Sequence, residues 1–470
     1  MNDKEPQKMS LGTRLAFACG EVGDNWALNT FSFLIFTYYF TVVRVPTLIM
    51  TLGFIFWAVW NAINDPLIGY LSDRTKSRWG RRIPWMIAAT IPLGVLMILL
   101  FTPPGNYLTN QSVFVYFIII LVLFDFAYTS FNLNYNALFS EMFVEMKARS
   151  STGRIRIIFV LIATMFALTL PTFIIDDITN SNPANVDTTI LQYQITGIIA
   201  AIVIFVFYFL ILKWGVKDPK HISKDAESAM SFGKTIKFTF KHKSFLWFLF
   251  PALGTWLVIN ILPTLSPLFF VYAVGITDTE LIGILLMISF LVAAVSTPMW
   301  EFIRVRKGAR LCGLIGIVVW LVSVVCFAYS VTFEMALIFM IFFGVGLGGG
   351  LYFYDQCIAE IIDEDEITYG VRRSGIYYAV LNFLIRLSMI LNFVIIGTVF
   401  SSTDWMNYTP IPTDPELVIL GLRILMGIYP GIVLGLSLIG MYFYPIKGER
   451  LKENRRKLTE LHKRKLGTLQ

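Results

Sequence analysis

The feature that most constrains this chain is its division into long apolar runs. Crossing the hydrocarbon core of a bilayer takes about 20 apolar residues. About twelve stretches meet that requirement, at roughly 15–43, 47–71, 84–102, 112–139, 155–175, 190–212, 245–274, 279–300, 310–331, 335–361, 375–400 and 416–444. Composition agrees: 56% of the 470 residues are hydrophobic and 15% are charged, where a soluble domain carries nearer 25% charged residues. The expected class is an all-α, multi-pass membrane protein. The first apolar run is too long, and wrongly flanked, for a cleavable signal peptide.

The loops alternate in charge. One set holds Arg74, Lys76, Arg78, Arg81 and Arg82, then Lys147, Arg149 and Arg154, then the stretch 213–243, then Arg304 to Arg310, then Arg372 and Arg373. The other set is acidic or neutral apart from Arg44. The positive-inside rule therefore places both termini in the cytoplasm of a cell-membrane protein. The net charge of +7 follows this membrane logic and does not point to nucleic acid. The four cysteines lie scattered in apolar segments without metal or redox spacing. Only three histidines occur (His221, His242, His462), none beside a nucleophile motif, which argues against an enzyme.

The longest polar connection divides the chain into two sets of six spans. The expected domains are a six-helix bundle over 1–213, a central loop over 214–244, a second bundle over 245–445 and a basic tail over 446–470. After the second half's second span, Arg304 to Arg310 is a degraded echo of the first half's Asp73–Arg82 turn. Such duplication places a solute site between the halves, near mid-membrane. The tail, rich in Lys, Arg and Glu with spaced leucines, reads either as a helix near anionic headgroups or as a solvated extension.

Polar residues inside the apolar runs are the candidate site. Asp65 precedes Pro66, which lacks an N–H and so frees the carbonyl of Ala62; Asn61, four residues earlier, shares the face of Asp65. A charge at mid-bilayer costs about 2.5–3.5 kcal/mol even on lenient scales, so Asp65 is either functional or held by a neighbouring helix. In the first run Glu21, Asp24 and Asn25 fall within one turn, followed by Trp26 and Asn29. In the fourth, Asp125, Thr129, Asn132 and Asn136 form one stripe at i, i+4, i+7 and i+11, suited to lining a cavity or to bonding a neighbouring helix. Arg156 opens the fifth run. Asp355 follows a glycine-rich stretch in the tenth, and Arg386 in the eleventh is its candidate counter-charge.

Gly69, Asp73, Arg74, Gly80, Arg81 and Arg82 resemble the Gly-x-x-x-Asp-Arg-x-x-x-x-x-Gly-Arg-Arg turn of the major facilitator superfamily. With Asn64-Asp65-Pro66, Gly20-Glu21-Val22-Gly23, the run from Asn132 to Leu138 with Glu141, Arg149 with Arg156, and the run from Ala359 to Gly375, the whole chain resembles the melibiose permease-like glycoside-pentoside-hexuronide cation symporters. The lysophosphatidylcholine symporters of animals share the frame more distantly. The resemblance implies a major facilitator fold of twelve transmembrane helices in two pseudo-symmetric halves. It also implies alternating-access symport of a sugar (a glycoside, pentoside or hexuronide), with transport of a lysophospholipid or other amphiphile as the alternative.

The roles that follow join what the resemblance implies for Asp65, Asn61, Thr129, Asn132, Asn25, Asn136, Arg156 and Arg386 to the reading of the other residues from their places in the apolar runs and loops. Asp65, with Asn61, Thr129 and Asn132, would couple a proton or sodium ion, with no other cofactor. Asp24, Asn25, Trp26, Asp125, Asn136, Arg156, Asp355 and Arg386 would line the solute site. Asp73, Arg74, Arg78, Arg81, Arg82, Glu141, Glu360, Asp363, Arg372 and Arg373 would close the cytoplasmic side, and the protein would act as a monomer. The chain departs from the family in having Asn61, Asn25 and Asn132 where family members have acids, Asp24, Asp125 and Asp355 as additional acids, and Asn134 in place of a Pro. Retaining one carboxylate among amides weighs towards a proton over sodium, since a hard cation takes more charged oxygen ligands.

Overall fold

The computed structural model describes residues 10–104, 110–143, 146–216, 239–370 and 374–467. These residues form helices and connecting turns, with no strand among them. The helices in the first half are α1 (Leu11–Thr37), α2 (Thr47–Arg74), α3 (Ile83–Leu100), α4 (Asn110–Met142), α5 (Met146–Thr169) and α6 (Val186–Gly215). The second half holds α7 (Lys243–Val274), α8 (Thr279–Lys307), α9 (Ala309–Phe327), α10 (Phe333–Tyr369), α11 (Ser374–Ser401) and α12 (Pro415–Phe443), followed by α13 (Gly448–Gly467). Eleven of these, α2 to α12, are long and apolar enough to span a membrane. The 27-residue α1 carries Arg14, Glu21 and Asp24, yet packs against α5, α6 and α7 as the twelfth member of the bundle.

The duplication shows in the packing. In the first half α1 pairs with α5 and α6, α2 with α4, and α3 with α4 and α6. The same five pairings recur, shifted by six, as α7 with α11 and α12, α8 with α10, and α9 with α10 and α12. The halves meet through α1 with α7, α2 with α11 and α5 with α8, the last two exchanged by the pseudo-two-fold. The first helix of each half is thus at the centre, where the charged residues of α1 need not face lipid.

Close approach of backbones holds each half together. A side chain on Gly316 of α9 would meet the Gly349 backbone of α10 at 3.3 Å, which is why this crossing uses glycine on both sides. Helix ends extend past the apolar runs: α5 starts at Met146 and α10 continues to Tyr369, stopped by Gly370 at φ +74°.

Candidate functional site

At mid-bundle α2 and α4 are joined by carboxylates and amides. Asp125 of α4 is 2% exposed. Its carboxylate accepts from Asn61 Nδ2 at 2.8 Å and from Asn64 Nδ2 at 2.9 Å, both on α2. Asp65, one residue on, turns to the other flank. It accepts from Thr129 Oγ1 at 3.3 Å and pairs with the Arg386 guanidinium of α11 at 2.6 Å. This ion pair joins the two halves. Both side chains keep about a quarter of their exposure (22% and 24%), so the pair borders open space between the helices.

A second polar centre joins α1, α4 and α5. Arg156 forms an ion pair with Glu21 and donates to Asn136 Oδ1 at 2.6 Å, while its guanidinium lies over the rings of Phe139 and Tyr135. Asn25 Nδ2 donates to the same Glu21 carboxylate at 3.1 Å. Three residues along α1, Asp24 Oδ2 accepts from Asn132 Nδ2 at 2.7 Å and from the Tyr128 hydroxyl at 3.2 Å. Trp26 is half-buried against the hydrophobic core.

The stripe on α4 is therefore one surface with three partners. Asp125 and Thr129 serve α2, Asn132 serves α1, and Asn136 serves α5 through Arg156. Steps of three and four residues drift around a 3.6-residue helix, and α4 is wedged between those neighbours. The expected cation set is split accordingly. Thr129 is at Asp65, but Asn61 is bonded to Asp125 and Asn132 to Asp24. The expected pairing of Arg386 with Asp355 is also corrected: Arg386 reaches Asp65 in the opposite half, and Asp355 is exposed on α10. Asn64, Tyr128 and Glu21 complete these centres; Tyr128, four residues before Asn132, and Asn64, three after Asn61, could have been found by their helical spacing from those polar residues.

Apart from the Asp65–Arg386 pair, the hydrogen bonds described between the halves lie at the end opposite the basic turns. Thr47 Oγ1 donates to the Trp405 carbonyl at 2.7 Å, Thr279 Oγ1 to that of Asp176 at 2.7 Å, and the Tyr408 hydroxyl to that of Thr179 at 2.5 Å. Between them and Asp65, the Phe54 and Phe393 rings stack at 4.3 Å across the halves. A cavity of about 30 Å³ lies beside this stack, lined by residues that include Ser32, Asn260 and Asn392. The bundle is therefore closed at this end.

The basic end carries two networks, and the bonds described for each stay within one half. Arg82, 8% exposed, binds Asp73 at 2.7 Å and Glu141 at 3.4 Å, and reaches Asn134 Oδ1 at 3.5 Å; Arg81 binds Glu141 at 2.8 Å. Asn134, in the family's Pro position, thus supplies an acceptor that Pro cannot. Arg74 and Arg78 lie over the Tyr70 and Trp79 rings at the surface. In the second half Glu364 accepts from Ser244 at 2.6 Å and pairs with Arg450 of α13 at 2.6 Å, so α13 is docked on the bundle. Glu360 accepts from Tyr444 at 3.4 Å. Asp363 borders the space between α10 and α13, and Arg372 and Arg373 lie outside the described residues. The residues expected to close the cytoplasmic side thus form two separate networks in the bonds described.

The sequence profile of the family described as MFS/sugar transport protein matches residues 16–448. An uncharacterised symporter of Synechocystis sp. is 24% identical, with 94% of this chain and 95% of that protein covered. A sodium-dependent lysophosphatidylcholine symporter of Xenopus tropicalis is 23% identical over 96% of this chain and 90% of its own. A glucuronide carrier protein homolog of Escherichia coli is 23% identical, with 95% of each chain covered. Among solved structures, the nucleoside transporter NupG superposes with a TM-score of 0.63 at 14% identity, covering 92% of this chain and 100% of that one.

Proposed function

The chain belongs to the MFS/sugar transport protein family, and from that membership we propose cation-coupled symport of a sugar by alternating access. It is a multi-pass membrane transporter and not an enzyme. The observation that carries the coupling is the Asp65–Arg386 ion pair. A cation or proton arriving at Asp65 competes with Arg386 for the same oxygens, so the occupancy of a first-half site alters the contact with the second half. That is the physical requirement for making the rocking of the halves depend on an ion.

The solute would lie between the Glu21–Arg156–Asn136 centre and the face of the second half that bears Asp355 and Arg386. Arg156 and the carboxamides of Asn25 and Asn136 offer donors and acceptors spaced for hydroxyl groups, and Trp26 an aromatic face for a sugar ring. The positive-inside pattern places the basic end in the cytoplasm, which makes the closed end the outer one. The form described is then inward-facing, with Asp65 reached from the cytoplasm.

The test is thermal stabilisation of the purified protein by a panel of glycosides, hexuronides, pentoses and lysolipids, each with and without sodium and at two pH values. A ligand of the folded state raises its apparent stability by an amount set by occupancy. A sugar that stabilises, more strongly with a cation present, is the expected result. Stabilisation confined to lysolipids would replace the sugar by an amphiphile on the same frame, as the lysophosphatidylcholine relatives suggest.

A further inference from the structure

The second half carries a groove of about 480 Å³ between α9 and α12. Leu314, Ile315 and Val318 form one wall, and Leu438, Ile439 and Tyr442 the other. The two helices touch beside it, where a side chain on Gly313 would meet Met441 Cε at 2.7 Å. The groove is open to its surroundings, with Val318 44% and Ile439 52% exposed. Its walls are apolar, and a lipid tail is as apolar outside the groove as within it, so the walls alone select no lipid over another. Selection has to come from the mouth.

One end of the groove lies at Arg310, one turn before Leu314 on α9. Arg310 Nε donates to the Met441 carbonyl at 3.3 Å, Nη2 donates to that of Tyr442, and the guanidinium stands 5.4 Å from the centre of the Tyr442 ring. These acceptors are neutral. They fix the guanidinium at the lip of the groove without cancelling its charge. Among the described residues no acid pairs with Arg310, and its Nη1 has no described acceptor. A side chain on Gly308 would meet Leu451 at 3.5 Å, so the start of α13 lies against the α8–α9 turn. Lys447, one turn before Leu451, therefore joins Arg306 and Lys307 at this end, all three exposed. The nearby acids are Glu301 and Glu449, and Glu449 is already held by Lys452 at 3.0 Å. The rim is basic, and the positive-inside pattern sets it at the headgroups of the cytoplasmic leaflet.

We propose that this groove binds one anionic phospholipid of the cytoplasmic leaflet, with an acyl chain along α9 and α12 and the phosphate on Arg310. A guanidinium held in place with a nitrogen still free to donate suits a phosphate oxygen. Basic pockets between spans on this side of a membrane favour anionic headgroups. The site is separate from the polar centres between the halves, so the inference goes beyond the transport reading and stands whatever the solute is.

The test is a titration of the purified full chain in detergent with phosphatidylglycerol and with phosphatidylcholine of the same acyl chains, read as thermal stability. Phosphatidylglycerol should reach half its effect at a concentration at least about tenfold below that of phosphatidylcholine. Arg310→Gln should bring that ratio to within about threefold, and so should Val318→Trp, which fills the groove and leaves Arg310 in place. Lys213→Gln removes a cation from the basic end of the first half, where its ammonium lies over the Trp214 ring, and should leave the ratio unchanged. Equal effects of the two lipids on the wild type would overturn the proposal. So would a full preference surviving in Val318→Trp or in Arg310→Gln. A loss in Lys213→Gln as large as that in Arg310→Gln would overturn it as well, by making the preference a property of overall charge. Full stabilisation by soluble glycerol phosphate would do the same, because the groove would then be idle.

Discussion

Replacing Arg386 by Met isolates the ion pair that joins the halves. The variant keeps side-chain length and apolar packing but removes the charge 2.6 Å from Asp65, leaving that carboxylate one described bond, from Thr129 at 3.3 Å. Two unit charges 4 Å apart interact by about 4 kcal/mol at an effective dielectric of 20. Both side chains remain about a quarter exposed, at 24% and 22%, so solvent screening reduces this. A coupling of roughly 1–3 kcal/mol is expected, between the values for surface and buried pairs. The assay is a double-mutant cycle of thermal stability with Arg386→Met, Asp65→Asn and both. Arg386→Met should be the least stable, because it strands a carboxylate; adding Asp65→Asn should recover much of the loss. If the two losses simply added to within about 0.5 kcal/mol, the pair would not be energetically coupled and the account of the joint would be wrong.

Three further perturbations address other parts of the molecule. A side chain at Gly397 would collide with Thr51 Oγ1, so Gly397→Val should part α2 from α11 at the closed end. Labelling of a cysteine placed at Ser32 by an impermeant maleimide should then rise severalfold, and an unchanged rate would mean that this contact does not hold the end shut. Arg156→Lys keeps a cation but not the planar fork that serves both Glu21 and Asn136, so solute affinity should fall about tenfold while the protein stays folded; equal affinity would place the solute elsewhere. His242, at the start of α7, has its pKa pushed down by burial, against the opposing Glu364 carboxylate at 3.7 Å. The unfolded chain therefore binds more protons just below the ordinary value of 6.5, and stability should fall as pH drops through that region. His242→Gln should flatten this part of the stability–pH curve, and an unaltered curve would assign the dependence to other groups.

Much of the fold was legible because the bilayer imposes a length scale on the sequence. The run at 279–300 and the helix Thr279–Lys307 begin at the same residue, and the run at 47–71 ends three residues before α2 does. The misreadings lie at the basic ends. There α10 continues to Tyr369 and α5 begins at Met146 through charged residues that lie beyond lipid yet remain helical. Hydropathy reports where a helix leaves the membrane, not where its hydrogen bonding stops.

The site was legible in its members and not in its pairings. Asp65, Asp125, Asp24 and Arg386 stand out because charge is costly inside apolar runs. Which acid meets which base depends on contacts between helices hundreds of residues apart, about which local periodicity is silent. The sequence offers Asp355, in the same half, as the counter-charge of Arg386, whereas the α2–α11 crossing brings Arg386 to Asp65. Likewise Asn61 shares a face with Asp65 along α2, yet the approach of α4 gives it Asp125.

The central claim is that ion occupancy at Asp65 drives solute accumulation. The most direct measurement is uptake into proteoliposomes, of whichever solute stabilises the protein, under an imposed sodium or proton gradient. Wild type and Asp65→Asn would be compared, and exchange without a gradient measured in parallel. The account predicts that the wild type concentrates the solute, while Asp65→Asn loses concentrative uptake and can still exchange it. Accumulation against a gradient by Asp65→Asn, at the wild-type level, would contradict it.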